Sequence, residues 1–138
     1  FDISLKDLTE NERTFCTQAV TNYNQFKDAI LEGDFYRLVS PYDGNHASVM
    51  HVNENKDKAI LFTYDLFPLY SEKTFPIKLQ GLDSQKRYKV TEINLMPNSN
   101  SSLSANGKTY SGDYLMKVGI EGFTASRMNS RVIKLTVE

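Results

Sequence analysis

Hydrophobic spacing divides this chain at Gly33. Before it, Phe15, Cys16, Ala19, Val20, Tyr23, Phe26, Ile30 and Leu31 share one arc of about 160° when plotted at ~100° per residue. Thr14, Thr17, Gln18, Thr21, Asn22, Gln25, Asp28 and Glu32 fill the other side. Thr9 with Glu12 is a capping-box pair, in which the hydroxyl accepts from an orphan backbone N–H and the carboxylate reaches back to the cap. A long amphipathic helix is therefore predicted from Glu10, closed by Gly33. So wide a stripe exceeds what one small sheet covers, and Phe15, Tyr23, Phe26 and Ile30 are candidate docking residues for a neighbour outside the chain.

From Asp34 the period becomes extended. Phe35–Val39 reads as a strand stopped by Pro41 and Asp43–Gly44, and Ala47–Val52 as a second. In Ala59–Phe67, Ile60, Phe62, Tyr64 and Leu66 line one face and Ala59, Leu61 and Phe67 the other. Apolar on nearly both sides, this run is predicted to be the central strand, with Phe62 in the core. The polar turn Asn53–Lys58 should join it to Ala47–Val52 as an antiparallel hairpin. Phe75–Gln80 is a further strand, which Pro76 confines to an edge or a bulge. Arg87–Leu95 changes phase between Val90 and Ile93, as a bulge near Thr91 or Glu92 would cause.

Pro97–Gly107 is rich in Ser and Asn and is expected to be an exposed, mobile loop; its glycosylation-type triplet at Asn100 is of a kind that chance often supplies. Ser111–Val118, stopped by Gly119, should make one or two helical turns, and Val132–Val137 a last strand. The fold expected is mainly β: an antiparallel β-sandwich of about 7–8 strands preceded by one long N-terminal amphipathic helix.

The 138 residues suit one domain, large enough to bury roughly 65–70% of its unfolded surface. Sixteen basic against seventeen acidic residues leave a net charge of −1 and no basic cluster, which argues against nucleic acid or an anionic membrane surface as a partner. No apolar run reaches transmembrane length. Cys16 is the single cysteine and cannot form an internal disulfide. Phe1 is not an initiator methionine, so the chain is expected to begin partway along a longer protein, and its compartment is not revealed.

Candidate chemistry is sparse. His46, His51 and Cys16 are the only soft ligands, and their spacing is no metal pattern. The glycines sit at scattered turn positions, so no phosphate- or cofactor-binding fingerprint arises, and no cofactor is expected. Asp43, Asp57, Asp83 and Asp113 fall in turns or caps, whereas Asp65 interrupts the central strand and reads as a carboxylate paired at a sheet surface or domain seam. Eight Tyr and eight Phe without Trp mostly supply the core. Tyr42, Tyr70 and Tyr110 fall near strand ends and are candidate sugar contacts.

Gly33–Pro41, GDFYRLVSP, directly after a long amphipathic helix, resembles the junction in family 36 α-galactosidases where the last barrel helix runs into a C-terminal β-domain. Tyr110–Ile120, YSGDYLMKVGI, is similar to that family's segment near its C-terminus. The resemblance covers nearly the whole chain from about Thr9. It implies that residues 1–33 correspond to the last helix of a catalytic barrel and 34–138 to a C-terminal β-sandwich domain. The partner implied is that barrel, in the same chain, and the parent is implied to be a retaining α-galactosidase that could oligomerise. The family's two catalytic carboxylates lie on barrel strands, no segment here matches either motif, and no catalytic residue is carried over. The Ser/Asn-rich stretch Asn98–Asn106 is longer than the resemblance leads one to expect. Two roles stay open: a structural accessory domain, with apolar surface exposed along the helix and one sheet face, or a carbohydrate-binding module, with its tyrosines on one exposed face.

Overall fold

A computed structural model of the chain describes residues 5–70, 72–124 and 126–138, so the first four residues of the 1–33 segment lie outside the description. Helix α1 spans Glu10–Glu32, as its hydrophobic period predicts. The capping box forms in both directions: the Glu12 N–H donates to the Thr9 hydroxyl, and the Thr9 N–H donates to the Glu12 carboxylate at 2.7 Å. Gly33 closes the helix in extended rather than left-handed geometry, with φ −83° and ψ 173°. A glycine is needed there for a different reason: a Cβ would lie 2.4 Å from the Val52 carbonyl oxygen, so only a bare backbone lets the chain turn this close to the sheet.

Strands β1 (Asp34–Val39), β2 (His46–Val52), β3 (Lys58–Asp65), β4 (Arg87–Glu92), β5 (Thr109–Ser111) and β6 (Asn129–Val137) form one antiparallel sheet in the order β1-β2-β3-β6-β4-β5. The fold is mainly β and antiparallel with the helix first, as expected, but with six strands among the described residues rather than seven or eight. The β2–β3 hairpin pairs as the sequence predicts, Val52 opposite Ala59. The last strand is inserted between β3 and β4, so the strands after the hairpin do not run as a simple meander.

Met50, Val52, Ala59, Leu61, Tyr88, Val90, Ile133 and Leu135 build the core on one sheet face. The layer over them is largely irregular. The expected strand Phe75–Gln80 contributes only a single bridge, Ile77 to Ile120, and buries Ile77 and Leu79. Helix α2 (Gly112–Lys117) adds Leu115, with Ser111 as its cap and Gly119 just beyond it at φ +86°. The stretch expected to be an exposed loop adds Leu103 and Ala105, both buried, because its serines and asparagine bond back to the sheet: Asn106 accepts from the Glu92 N–H at 2.9 Å.

Two sequence expectations on the strands need correction. No bulge interrupts β4, which pairs in continuous register with β6 from Tyr88 to Glu92. Glu92 keeps the core phase and is buried, while Ile93 alternates normally to the other face. Phe62 is only half-buried and points to the helix side, whereas its neighbour Leu61 is fully enclosed.

Candidate functional site

Helix α1 lies over Ile60, Phe62 and Val132 of the sheet. Its most deeply buried residues are Asn22, Phe26 and Ala29. At ~100° per residue these centre close to one border of the apolar arc, not on its middle. Asn22, which hydropathy assigns to the polar side, is drawn in because its amide donates to the Ile93 carbonyl at 3.1 Å, where the chain leaves β4. On the polar side of the helix Lys58 pairs with Asp28, and hydrogen bonding to that lysine holds the Asp28 carboxyl below the usual range.

The consequence is an unpartnered flank. Of the four docking candidates, Phe26 is 2% exposed and spent on this chain's own sheet, Phe15 and Ile30 are half-buried, and Tyr23 is exposed. Val20 and Leu31 continue the exposed flank, Leu31 at 68%. Between helix and sheet remains a cavity of about 160 Å³, lined by Phe15, Ala19, Tyr23, Ile30, Phe62 and Ile93 among others. The helix-side sheet face also stays partly open. Phe35 on β1 is exposed and meets His51 at 5.1 Å between ring centroids, and His51 in turn meets the Phe62 edge at 6.3 Å. Burial among these rings pushes the His51 imidazole below its ordinary value of 6.5.

The other concentration of chemistry lies inside the core-facing side of the sheet, at the end where β2 begins and β3 ends. His46, Ser48, Thr63, Asp65 and Arg131 occupy core positions there, all buried. The His46 Nδ1 is 2.8 Å from Asp65 Oδ1, and the Thr124 N–H and hydroxyl both donate to Asp65 Oδ2, at 2.9 and 2.8 Å. The rings of Phe75 and Phe123 pack on the imidazole. Its Nε2 is buried without a hydrogen-bond partner, 3.6 Å from Glu72 Oε1. Glu72 also accepts from the Leu69 N–H at 2.7 Å, and this bond above all holds its carboxyl below the ordinary 4.5. Beside this cluster, Glu92 and Arg131 form a buried pair at 3.5 Å, closed by Ser101 on Glu92 and by Ser102 on Arg131.

An Asp–His pair with a nearby hydroxyl has the parts of a nucleophilic triad but not the arrangement. A triad needs the hydroxyl on the imidazole nitrogen remote from the carboxylate. Here the Thr124 hydroxyl sits on the carboxylate, and the remote nitrogen faces a second carboxylate. The cluster works as a latch instead: it joins β2 and β3 to Glu72 and Thr124 through groups that would be costly to bury alone. Thr63 adds a bond to the Gly122 carbonyl at 3.1 Å. Sequence reading pairs Asp65 at a sheet surface or domain seam and leaves His46 in a turn; the structure instead buries Asp65 and makes His46 the first residue of β2 and its partner. Glu72, Glu92, Thr124 and Arg131 carried no signal in the sequence, being separated by loops from what they touch.

The three candidate sugar tyrosines do not gather on one face. Tyr42 and Tyr70, 94% and 99% exposed, lie in turns at the His46 end of the sheet. Tyr110 is on β5, opposite Tyr88, at the far edge and toward the other end. It is partly buried and stacks on Tyr114, with centroids 5.2 Å apart and planes within 15°. Among the described residues no group of three or more His, Cys, Asp or Glu side chains forms a metal cage, and no helix is long and apolar enough to cross a membrane.

The described residues thus make a small antiparallel β domain that carries an amphipathic helix along one sheet face and leaves an apolar flank of that helix unpartnered. A sequence model described as the glycosyl hydrolase family 36 C-terminal domain matches residues 46–135, and the chain belongs to that family. Its sequence is 27% identical over 120 residues to alpha-galactosidase AgaA of Geobacillus stearothermophilus, covering 87% of this chain and 14% of that protein. It is 30% identical over 129 residues to a probable alpha-galactosidase C of Aspergillus oryzae, covering 94% of this chain and 15% of the relative. A crystal structure of a Geobacillus stearothermophilus AgaA variant in complex with raffinose superposes with a TM-score of 0.79 at 25% identity, over 98% of this chain and 17% of that one. The chain thus spans only a small part of the length of these relatives.

Proposed function

We propose that the chain is the non-catalytic C-terminal domain of a retaining α-galactosidase, and that it stabilises the catalytic barrel of the same protein. In this reading residues 1–33 correspond to the barrel's last helix and 34–138 form the domain proper. Support comes from the family match, which begins at residue 46 and leaves α1 outside it. The observation that carries the reading is the way α1 packs: it uses the Phe26 border of its arc on its own sheet and leaves Val20, Tyr23 and Leu31 uncovered. Covering each such side chain is worth about 1.5–3 kcal/mol, so a barrel wall laid along this flank and over Phe35 gains substantially from the domain. Ile30 and Phe15, which line the cavity between helix and sheet, would then seat a side chain of the barrel.

Retaining glycoside hydrolysis requires two carboxyl groups about 5–5.5 Å apart, one attacking the anomeric carbon and one shuttling the proton. The buried carboxylates of this chain are committed elsewhere, Asp65 to His46 and Thr124, and Glu92 to Arg131 and Ser101. The reaction is therefore assigned to the barrel. The test compares hydrolysis of a chromogenic α-galactoside by this chain, by the full-length parent and by a parent ending before Glu10, together with solubility and thermal stability. Expected are no turnover by the chain alone and a truncated parent that aggregates or melts earlier. Turnover by the chain, or a truncated parent that stays soluble with unchanged melting, overturns the proposal.

A further inference from the structure

At the β5 edge, away from α1, the stacked pair Tyr110–Tyr114 walls a cleft of about 380 Å³. Pro76, Ser104, Val118 and Glu121 line it with them, and no basic side chain does. Its base is fixed by a bridge in the irregular layer, where the Ile77 N–H donates to the Ile120 carbonyl at 2.8 Å and Ile120 returns the bond at 3.1 Å. Gly119 makes that approach feasible, since a Cβ there would stand 2.3 Å from the Ile77 oxygen. The cleft is thus built on the core, next to Leu115 and Ile120, and its size falls in the range of small-ligand sites.

Tyr110 covers one face of the Tyr114 ring, yet Tyr114 remains 42% exposed. A tyrosine held flat by a neighbour and left open to water keeps an apolar face available without any further loss of rotamer freedom on binding. Beside it stand one hydroxyl and one carboxylate, Ser104 and Glu121, both exposed. This is the lining that suits a neutral polyhydroxylated ring: C–H groups of one sugar face lie on the aromatic, and hydroxyls donate to the carboxylate and exchange bonds with the serine. An anionic ligand would meet Glu121 without a cation to offset it, and a purely apolar one would leave both polar groups unsatisfied.

We propose that the Tyr110–Tyr114 cleft is a saccharide-binding site, taking one or two hexose units of a neutral oligosaccharide. The site lies at the β5 edge, away from the α1 flank, and shares no lining residue with it. It holds substrate near the protein by weak, reversible contact; Glu121 acts as a hydrogen-bond acceptor there and no bond is broken.

The experiment is a titration of the isotopically labelled chain with raffinose, followed by the backbone amide signals. Saturable shifts confined to residues 76, 104–105, 110–114 and 118–121 are expected. Tyr114→Ala should weaken binding at least about fivefold, and Glu121→Ala, which lies on the exposed rim and leaves the stack intact, should weaken it as well. Tyr70→Ala should leave the affinity unchanged. Shifts that fail to saturate, that centre on Tyr42 and Tyr70, or that persist unaltered in both cleft variants overturn the proposal. Since none of these readouts involves hydrolysis or the barrel, failure here leaves the docking role standing.

Discussion

His46 on β2 and Asp65 on β3 stand directly opposite each other, Nδ1 2.8 Å from Oδ1, at the buried end of the hairpin where the chain turns away toward Glu72. The pair matters because Asp65 also receives both donors of Thr124, so one carboxylate holds three segments.

Removing that carboxylate leaves the buried imidazole and the two part-buried Thr124 donors without their acceptor. Asp65→Ala is expected to cost about 3–5 kcal/mol, and Asp65→Asn, which keeps an acceptor oxygen, distinctly less. Urea denaturation measures both. A loss under about 1 kcal/mol for the alanine variant would mean that the latch is not what closes this end of the fold.

Leu61 and Phe62 are neighbours on the central strand, and the structure reverses the weight that hydropathy gives them. Leu61 is completely enclosed, so Leu61→Ala should cost about 2–5 kcal/mol. Phe62 lies half-buried over a cavity, and Phe62→Ala should cost only about 1–2 kcal/mol in this chain. The same denaturant titrations decide the order, and the reverse ranking would show that the helix–sheet seam is better packed than described.

The His51 imidazole is depressed by burial from its ordinary 6.5. The unfolded chain therefore binds a proton at His51 more readily than the folded one, and stability falls as pH drops through 6.5 toward the folded-state value. Thermal melts between pH 7.5 and 5 should show this decline, and His51→Gln should flatten the part that His51 contributes. An unchanged slope in the variant would assign the decline to other groups.

Along α1, Phe26→Ala should unfold the seam, at a cost of about 3–5 kcal/mol. Tyr23→Ser and Leu31→Ser, on the uncovered flank, should change the stability of the isolated chain by no more than about 0.5 kcal/mol. The isolated chain is expected to self-associate through this flank in sedimentation equilibrium, and both variants should lower that association. A stability loss comparable to that of Phe26→Ala would show that the flank is already used within the chain.

The hairpin register shows how close the sequence came to the buried cluster. With the turn at Asn53–Lys58 and Val52 opposite Ala59, counting six residues outward on each strand reaches His46 and Asp65. The pairing was thus implicit in the predicted turn, but His46 follows Gly44 and Asn45, whose turn preference masked the start of the strand.

What the sequence determined by itself is local. The capping box of α1, the hairpin, the serine-capped α2 and the stop at Gly119 depend on residues a few positions apart, whose backbone preferences and hydrogen bonds act before any tertiary contact forms. Tertiary structure alone decided the insertion of β6 between β3 and β4, the burial of Glu92 with Arg131, the recruitment of Leu103 from a polar loop, and the border of the helix arc that meets the sheet. Each of these joins segments far apart in the chain. A polar side chain such as Asn22 or Glu92 enters the interior only because a distant partner supplies its hydrogen bond, and that partner is invisible to periodicity.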